Sequence, residues 1–349
     1  MKKALLLGLA IVGLTISACT KKGRVSMNAM RPAEITVPSN VQNILLLDRS
    51  LLDENKKLGI LEGILTGELP EEDKAAVQRA LSRLNSTIQS TPRFTATIAS
   101  ERLPGNSLTS AFPAQLEWSQ IENLCRKYKA QGILAIEIFD TDFIVTNGKR
   151  VTKKTVGEGD NKREIEVDEW YAKGVANLTM GIRFYDFANK TIIDEQFYKR
   201  TNTWESAAGS RAEAIAKLIG KGDASSNLSA DIGEMYASRI APMPVRVHRP
   251  FYRRHKKAPA IQIGARMADV NRWSDALEVW QEGVATADRK RAGNLTYNVA
   301  IAYEVLGDLD NALKYAQDAY ILYNDREART YVQTLRNRKN DEERLKDQR

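Results

Sequence analysis

Cys19 is the residue of this sequence whose neighbours point most directly to a chemistry. Ile16-Ser17-Ala18 precede it, Lys2-Lys3 stand near the start, and residues 4–16 form an apolar run of 13 residues. That run is too short to cross a hydrocarbon core, which takes ~20 residues. Small residues before the cysteine fit a peptidase pocket, and a thiol at the cut site can accept a diacylglyceryl group. Ile16-Ser17-Ala18-Cys19 therefore has the shape of a lipobox. It sets residues 1–18 as a signal peptide and Cys19 as a lipid attachment point carrying palmitate-type chains. The alternative is an ordinary signal peptide with a coincidental cysteine.

Elsewhere the reactive residue types are scarce. The sequence holds two cysteines and two histidines. With Cys19 acylated, Cys125 has no partner for a disulfide, and its helical spacing with Ile121, Leu124 and Tyr128 marks a buried, inert thiol. One spare cysteine and two histidines do not supply a zinc set of the usual kind. Glu137, Asp140 and Asp142 sit at the end of an apolar run, where α/β sheets often place ligand groups. No histidine, serine elbow or glycine signature accompanies them, so no catalysis is expected. Gly59, Gly63 and Gly67 recur every four residues, but Glu68-Leu69-Pro70 follows where a phosphate loop needs Lys-Ser/Thr. No cofactor is expected.

The 349 residues carry a net charge of +8. Removal of Lys2 and Lys3 with the signal leaves 50 basic against 44 acidic residues, a net +6. A chain with 28% charged and 43% hydrophobic residues is globular. Its basic balance suits anionic lipid or cell-wall polymer, and no nucleic-acid partner is expected at an exported address.

The elements that would position these residues read in order. Residues 19–40 are polar and irregular, a flexible tether. The run Ile44-Leu45-Leu46-Leu47 is a buried strand. Pro70, followed by Glu71, Glu72 and Asp73, opens a helix whose apolar face is Val77, Ala80, Leu81, Leu84 and Ile88. Residues 94–98 form a second strand, 116–129 a helix with Gly132 just past its end, and 133–139 the strongest buried strand. This order argues for helices layered on a sheet. From 140 to 204 the pattern becomes strands and turns, with turn signals at Asn147-Gly148, at 157–161 and at Ala188-Asn189-Lys190. Ala176, Leu178, Met180, Ile182 and Phe184 alternate with polar neighbours or Gly181, giving a strand with one covered face. Helices over 205–220 and 228–240 flank a Gly/Ser-rich break at 220–227. Residues 41–240 thus form an α/β sandwich-like domain with an antiparallel meander.

Residues 241–259 carry four prolines and read as a basic linker. Arg246, Arg249, Arg253, Arg254, Lys256 and Lys257 fall within it, either as a solvated linker or as a patch for an anionic surface. Beyond it, Ile263-Gly264, Met267, Ala276 and Trp280 recur 36 residues later as Val299-Ala300, Tyr303, Ala312 and Ala316. The pattern of small and large residues is that of tetratricopeptide units: small residues let paired helices approach, and large ones fill the next groove. Gly307-Asp308 turns the second unit. Residues 260–338 are two such units with a capping helix over 326–338, and 339–349 are a polar tail that frays. Two units and a cap are too few to stand alone, so the array should lean on the first domain or on a partner. Asn294, Tyr297, Asn298, Ile301 and Glu304 on the first helix of the second unit are its candidate partner-binding residues. Ile261 and Gln262 in the first unit carry no cation, so carboxylate capture is not the expected mode. The fold class is α+β with an all-α tetratricopeptide-type helical hairpin array at its C-terminal end.

Asp48-Arg49-Ser50, Asn55-Lys56, the stretch Leu61-Glu62-Gly63-Ile64-Leu65-Thr66-Gly67-Glu68, and Thr91-Pro92-Arg93-Phe94 together carry a family resemblance. With the lipobox and the repeats, the chain resembles a family of bacterial lipoproteins that join an α/β domain to tetratricopeptide repeats and have no assigned activity. The resemblance singles out Glu62, Gly63, Gly67 and Glu68 as candidate partner-binding residues. In strand and helix order alone, the first domain is similar to the periplasmic α/β domains of curli-secretion and cell-wall-synthase-activator lipoproteins.

The expectation is a non-enzymatic scaffold, anchored through acylated Cys19 to membrane lipid. Lys21 and Lys22 after the lipid site resemble the pattern of lipoproteins retained in the outer membrane and facing the periplasm. Its partner is another envelope protein, or further copies of itself in a secretion or pore-type assembly using the hairpins over 143–169. Lys149, Arg150, Lys153, Lys154, Lys162 and Arg163 are too many charges for lipid-facing strands, which favours the scaffold. A hydrolase lacks a nucleophile–base pair.

Overall fold

A computed structural model describes residues 21–51, 70–105, 111–159 and 162–348. The expected signal peptide, Cys19, and the segment with Glu62, Gly63, Gly67 and Glu68 lie outside the described residues. In chain order the elements are β1 (Lys21–Arg31), β2 (Asn43–Leu51), α1 (Pro70–Gln89), β3 (Thr95–Pro104), α2 (Trp118–Tyr128), β4 (Gly132–Val156), β5 (Arg163–Asp186), β6 (Thr191–Ala208), α3 (Arg211–Ala216), α4 (Lys221–Ile240) and β7 (Met243–Arg254). Five helices follow: α5 (Pro259–Asp269), α6 (Trp273–Thr286), α7 (Arg289–Leu306), α8 (Leu309–Ile321) and α9 (Arg326–Asp347). They form two units. One comprises residues 31–243 with 345–349, the other 1–30 with 244–344. The class is α+β with a helical C-terminal array.

The first unit is a five-stranded sheet in the order β3-β2-β4-β5-β6. The continuous apolar runs of β2 and β4 place them side by side and parallel, with β3 parallel on the other side of β2. β4, β5 and β6 then run antiparallel. Alternate side chains feed two layers. Ile44, Leu46, Leu134, Ile136, Leu178, Met180, Ile182 and Phe184 pack under α1 and α4, where all five expected face residues of α1 are buried. Burial of each such side chain contributes ~1.5–3 kcal/mol. Leu45, Leu47, Ile133, Ala135 and Tyr185 meet Ile121 and Cys125 of α2 on the opposite side. The sheet is therefore covered on both faces.

Several expected boundaries move. Asn147-Gly148 makes no turn; both residues lie inside β4, facing Ala172 and Tyr171 of β5. The hairpin closes instead beyond Val156, where Gly157 and Gly159 take positive φ of 99° and 59°. The turn at Ala188-Asn189-Lys190 is present, with Lys190 at φ 49°. Residues 205–208 belong to β6, and α4 begins at Lys221, so the Gly/Ser-rich stretch is helical. Lys129, with φ 54°, ends α2, while Gly132 opens β4.

Residues 21–31 of the expected tether and 243–254 of the expected linker prove to be strand. β1 and β7 pair as a two-stranded sheet. Gly23 against Arg253 and Ser26 against His248 place the two strands antiparallel. The cause is period-two patterning: Gly23, Val25, Met27 and Ala29 are half-buried between exposed neighbours, as are Val245 and Val247. Pro244 and Pro250 are tolerated because a two-stranded sheet consists of edges. The helices pair as antiparallel hairpins. A Cβ at Gly264 would overlap the indole of Trp280, which is the close approach that the repeat pattern demands. Gly307 caps α7 in the left-handed conformation, and the Asp308 carboxylate accepts the Asn311 N–H at 2.9 Å to start α8. The polar tail does not fray: α9 continues to Asp347, and Lys339 pairs with Asp310.

Candidate functional site: a strand clamped by helices

α7 carries Asn294, Tyr297, Asn298, Ile301 and Glu304 on one face, and all five are buried. Buried, they are not open to a partner, and β7 of the same chain bonds to three of them, Tyr297, Asn298 and Glu304. The Asn298 carboxamide accepts the Tyr252 backbone N–H at 2.8 Å and donates to the Tyr252 carbonyl at 2.7 Å. The Tyr297 hydroxyl donates to the Pro250 carbonyl at 3.1 Å, and the Tyr252 hydroxyl donates to Asp325 at 3.0 Å. The rings of Tyr252, Tyr297 and Tyr331 follow one another at 5.6 and 5.4 Å between centroids. Chemically this is a clamp for an extended backbone: one side chain satisfies both polar groups of a strand residue, and aromatic rings pack beside it.

Charge completes the clamp. Glu304 accepts from Arg249 at 2.8 and 2.9 Å, from Arg338 at 2.6 Å and from Tyr331 at 2.7 Å. Burial works to raise the Glu304 carboxyl, but the bonds from Arg249, Tyr331 and Arg338 outweigh it and hold the group below the usual carboxylate value. Burial and the Glu304 charge push the Tyr331 hydroxyl well up. The expected basic patch is thereby divided. Arg249 is inward and paired, and Arg253 pairs with Asp269, while Arg246, Arg254, Lys256 and Lys257 are exposed.

In the first unit, Glu137 is fully buried. It accepts from Arg49 at 2.8 Å, from Arg183 at 2.7 Å and from the Tyr185 hydroxyl at 2.6 Å. Arg183 also reaches the Pro113 carbonyl at 3.2 Å and stacks on Phe112. Beside them Asp48 accepts from Arg102 at 2.5 Å. Burial, then the Glu137 charge, raises the Tyr185 hydroxyl. Glu137 is thus enclosed by donors, and Asp140 and Asp142 do not join it. Burial first and Asp142 second raise Asp140, against Lys221. Sequence reasoning found Glu137 and missed Arg49 and Arg183. The signal was an arginine next to or within an otherwise apolar strand on each neighbour.

Residues 41–252 match the model of a domain of unknown function, DUF8603, and residues 262–337 match a second, DUF6340. No curated protein matches the chain. Among solved structures, the PelC dodecamer from Paraburkholderia phytofirmans is similar at 11% identity and a TM-score of 0.27, over 63% of this chain and 99% of that one. A neuraminyllactose-binding hemagglutinin homolog from Helicobacter pylori is similar at 12% identity and a TM-score of 0.26, over 58% of this chain and 90% of that one. At these scores the overlap is too loose to transfer assembly or ligand.

Proposed function

The chain belongs to the family of the domain of unknown function DUF8603, and on that premise we propose that it is a non-catalytic scaffold of the cell envelope. It is a lipoprotein acylated at Cys19, held in the outer membrane and facing the periplasm, with a tetratricopeptide-like array at its C-terminal end. Its partner is another envelope protein. The observation that carries this reading is the clamp on β7: the array already holds an extended strand of its own chain, so a partner binds the first unit instead. Among the described residues β3 and β6 are the outer strands of its sheet, and the far part of β4 adds a further open edge. Beyond Ile136 β4 has left β2 and, among the described residues, pairs with β5 alone, up to Val156. Ile144 and Val151 are 57% and 62% exposed along it. A strand edge of this kind accepts a strand from another chain. Lys149, Lys153 and Lys154, all exposed, guard it against copies of itself and favour an acidic strand.

The test is affinity capture of the full chain from detergent-solubilised membranes, beside a variant in which residues 149–169 are replaced by Asn-Gly. Loss of a co-purifying protein in the variant supports the reading, and its retention removes the hairpin from the site. Truncation at residue 260 would be a poor test, since it strips β7 of the helices that hold it. A second reading, a subunit of an oligomeric secretion or pore-type assembly, rests on the same free edge. Sedimentation of the captured material distinguishes it: a large species made of this chain alone, lost in the variant, favours self-assembly.

A further inference from the structure

The start of β1, the end of β7 and α5 enclose a cleft of about 400 Å³, lined by Lys21, Lys22, Gly23, Arg253, Arg254, Gln262, Ala265 and Arg266. Five of the eight are cations and none is acidic. Two are balanced: Lys22 donates to Glu327 at 2.6 Å, and Arg253 pairs with Asp269. Lys21, Arg254 and Arg266 are exposed and have no acidic partner among the described residues. That leaves three uncompensated positive charges around one concavity, half of the net +6 expected after removal of Lys2 and Lys3. The backbone is shaped for it, because a Cβ at Gly23 would overlap the Arg253 side chain that lies across β1. Lys256 and Lys257 extend the positive surface beyond the cleft.

We propose that this cleft binds the phosphodiester headgroup of an anionic membrane phospholipid. Two observations choose that source. The cations converge on a space of headgroup size, and Lys21 is only two residues after Cys19, within ~7 Å of chain reach. An acylated Cys19 would therefore hold the cleft at the bilayer surface, where cations gain most. The inference rests on the lipid-anchor reading for its place but not for its chemistry.

The test uses the full chain with Cys19→Ser, which cannot be acylated there, and vesicles of phosphatidylcholine with or without phosphatidylglycerol. Binding to the anionic vesicles only is expected. The variant Lys21→Gln, Arg254→Gln, Arg266→Gln should partition about 100-fold less, at about fivefold per cation. Equal charge removal at Lys173, Lys190 and Lys199, all exposed in the first unit, should leave binding near wild type. Glu327→Gln, which frees Lys22, should raise binding about fivefold. Equal loss in both triple variants would mean diffuse attraction and overturn the site, as would absence of binding to anionic vesicles. Displacement by millimolar inorganic phosphate at constant ionic strength would overturn the lipid source. The mass of the native Cys19 peptide tests the anchor separately, so either idea can fail without the other.

Discussion

The Asn298 side chain and the Tyr252 backbone exchange two hydrogen bonds, at 2.8 and 2.7 Å, between a helix and a strand 46 residues apart in sequence. Both partners are buried, so no water replaces them. Asn298→Ala should cost about 2–4 kcal/mol, since the Tyr252 N–H and carbonyl are left unpaired. Urea unfolding followed by far-UV circular dichroism measures it. A loss below ~1 kcal/mol would mean that β7 is held mainly by its aromatic contacts.

Glu304 makes the second unit sensitive to acid. Its folded pKa lies below the unfolded value of ~4.3, so its ionised form contributes stability above that value. The contribution disappears as pH falls through the folded pKa. Glu304→Gln should therefore destabilise by ~3–5 kcal/mol at pH 7, leaving Arg249 and Arg338 without a counter-charge. The gap between wild type and variant should narrow below about pH 4. A gap of constant size from pH 7 to pH 3 would contradict the ion-pair account.

Glu137→Gln preserves shape while leaving Arg49 without its counter-charge and Arg183 with Glu195 alone; their side chains are 10% and 6% exposed. We expect a loss of ~3–5 kcal/mol in the first unit. Reversing the pair as Glu137→Arg, Arg183→Glu would not restore it, because Arg49 would then face a like charge. Thermal scans of the three chains decide this.

The Cys125 thiol is free and buried, and burial first, then the Asp186 charge, pushes its pKa up to about 12. Native protein should react with a thiol-specific disulfide reagent only at its opening rate, so the reaction rises steeply across the urea transition. Rapid stoichiometric labelling without denaturant would disprove the packing described for α2.

Legibility followed the strength of local pattern. The β2 and β4 runs and the α1 face are dense apolar signals, and they emerge as the buried sheet and its covering helix. The Gly264/Trp280 and Ala300/Ala316 pairs gave the helical hairpins, since close helix contact leaves a mark in residue size. Asn147-Gly148 misled because Gly148 serves another need: a Cβ there would crowd the Tyr171 ring at 2.9–3.1 Å. β1 and β7 were hidden by prolines and charge, although Val25, Met27, Val245 and Val247 carry the alternation. Their true signal was mutual, since neither strand has a partner nearby in sequence. For the same reason the five α7 residues were expected to face a partner, whereas they are buried within the chain, with Tyr297, Asn298 and Glu304 bonded to β7.

The pairing of β1 with β7 also sets an order in time. Residue 31 and residue 243 bracket the first unit, so β1 waits for more than two hundred residues before its partner exists. Loop-closure entropy adds only ~0.6 kcal/mol per doubling of length, so the delay weighs little on final stability. It weighs on the path. The first unit can fold while β1 still has two open edges, and β7, once made, waits in turn for α7, the helix that clamps it. The half-made second unit, with the edges of β1 and β7 not yet held by the helices, is then the species most exposed to wrong pairing.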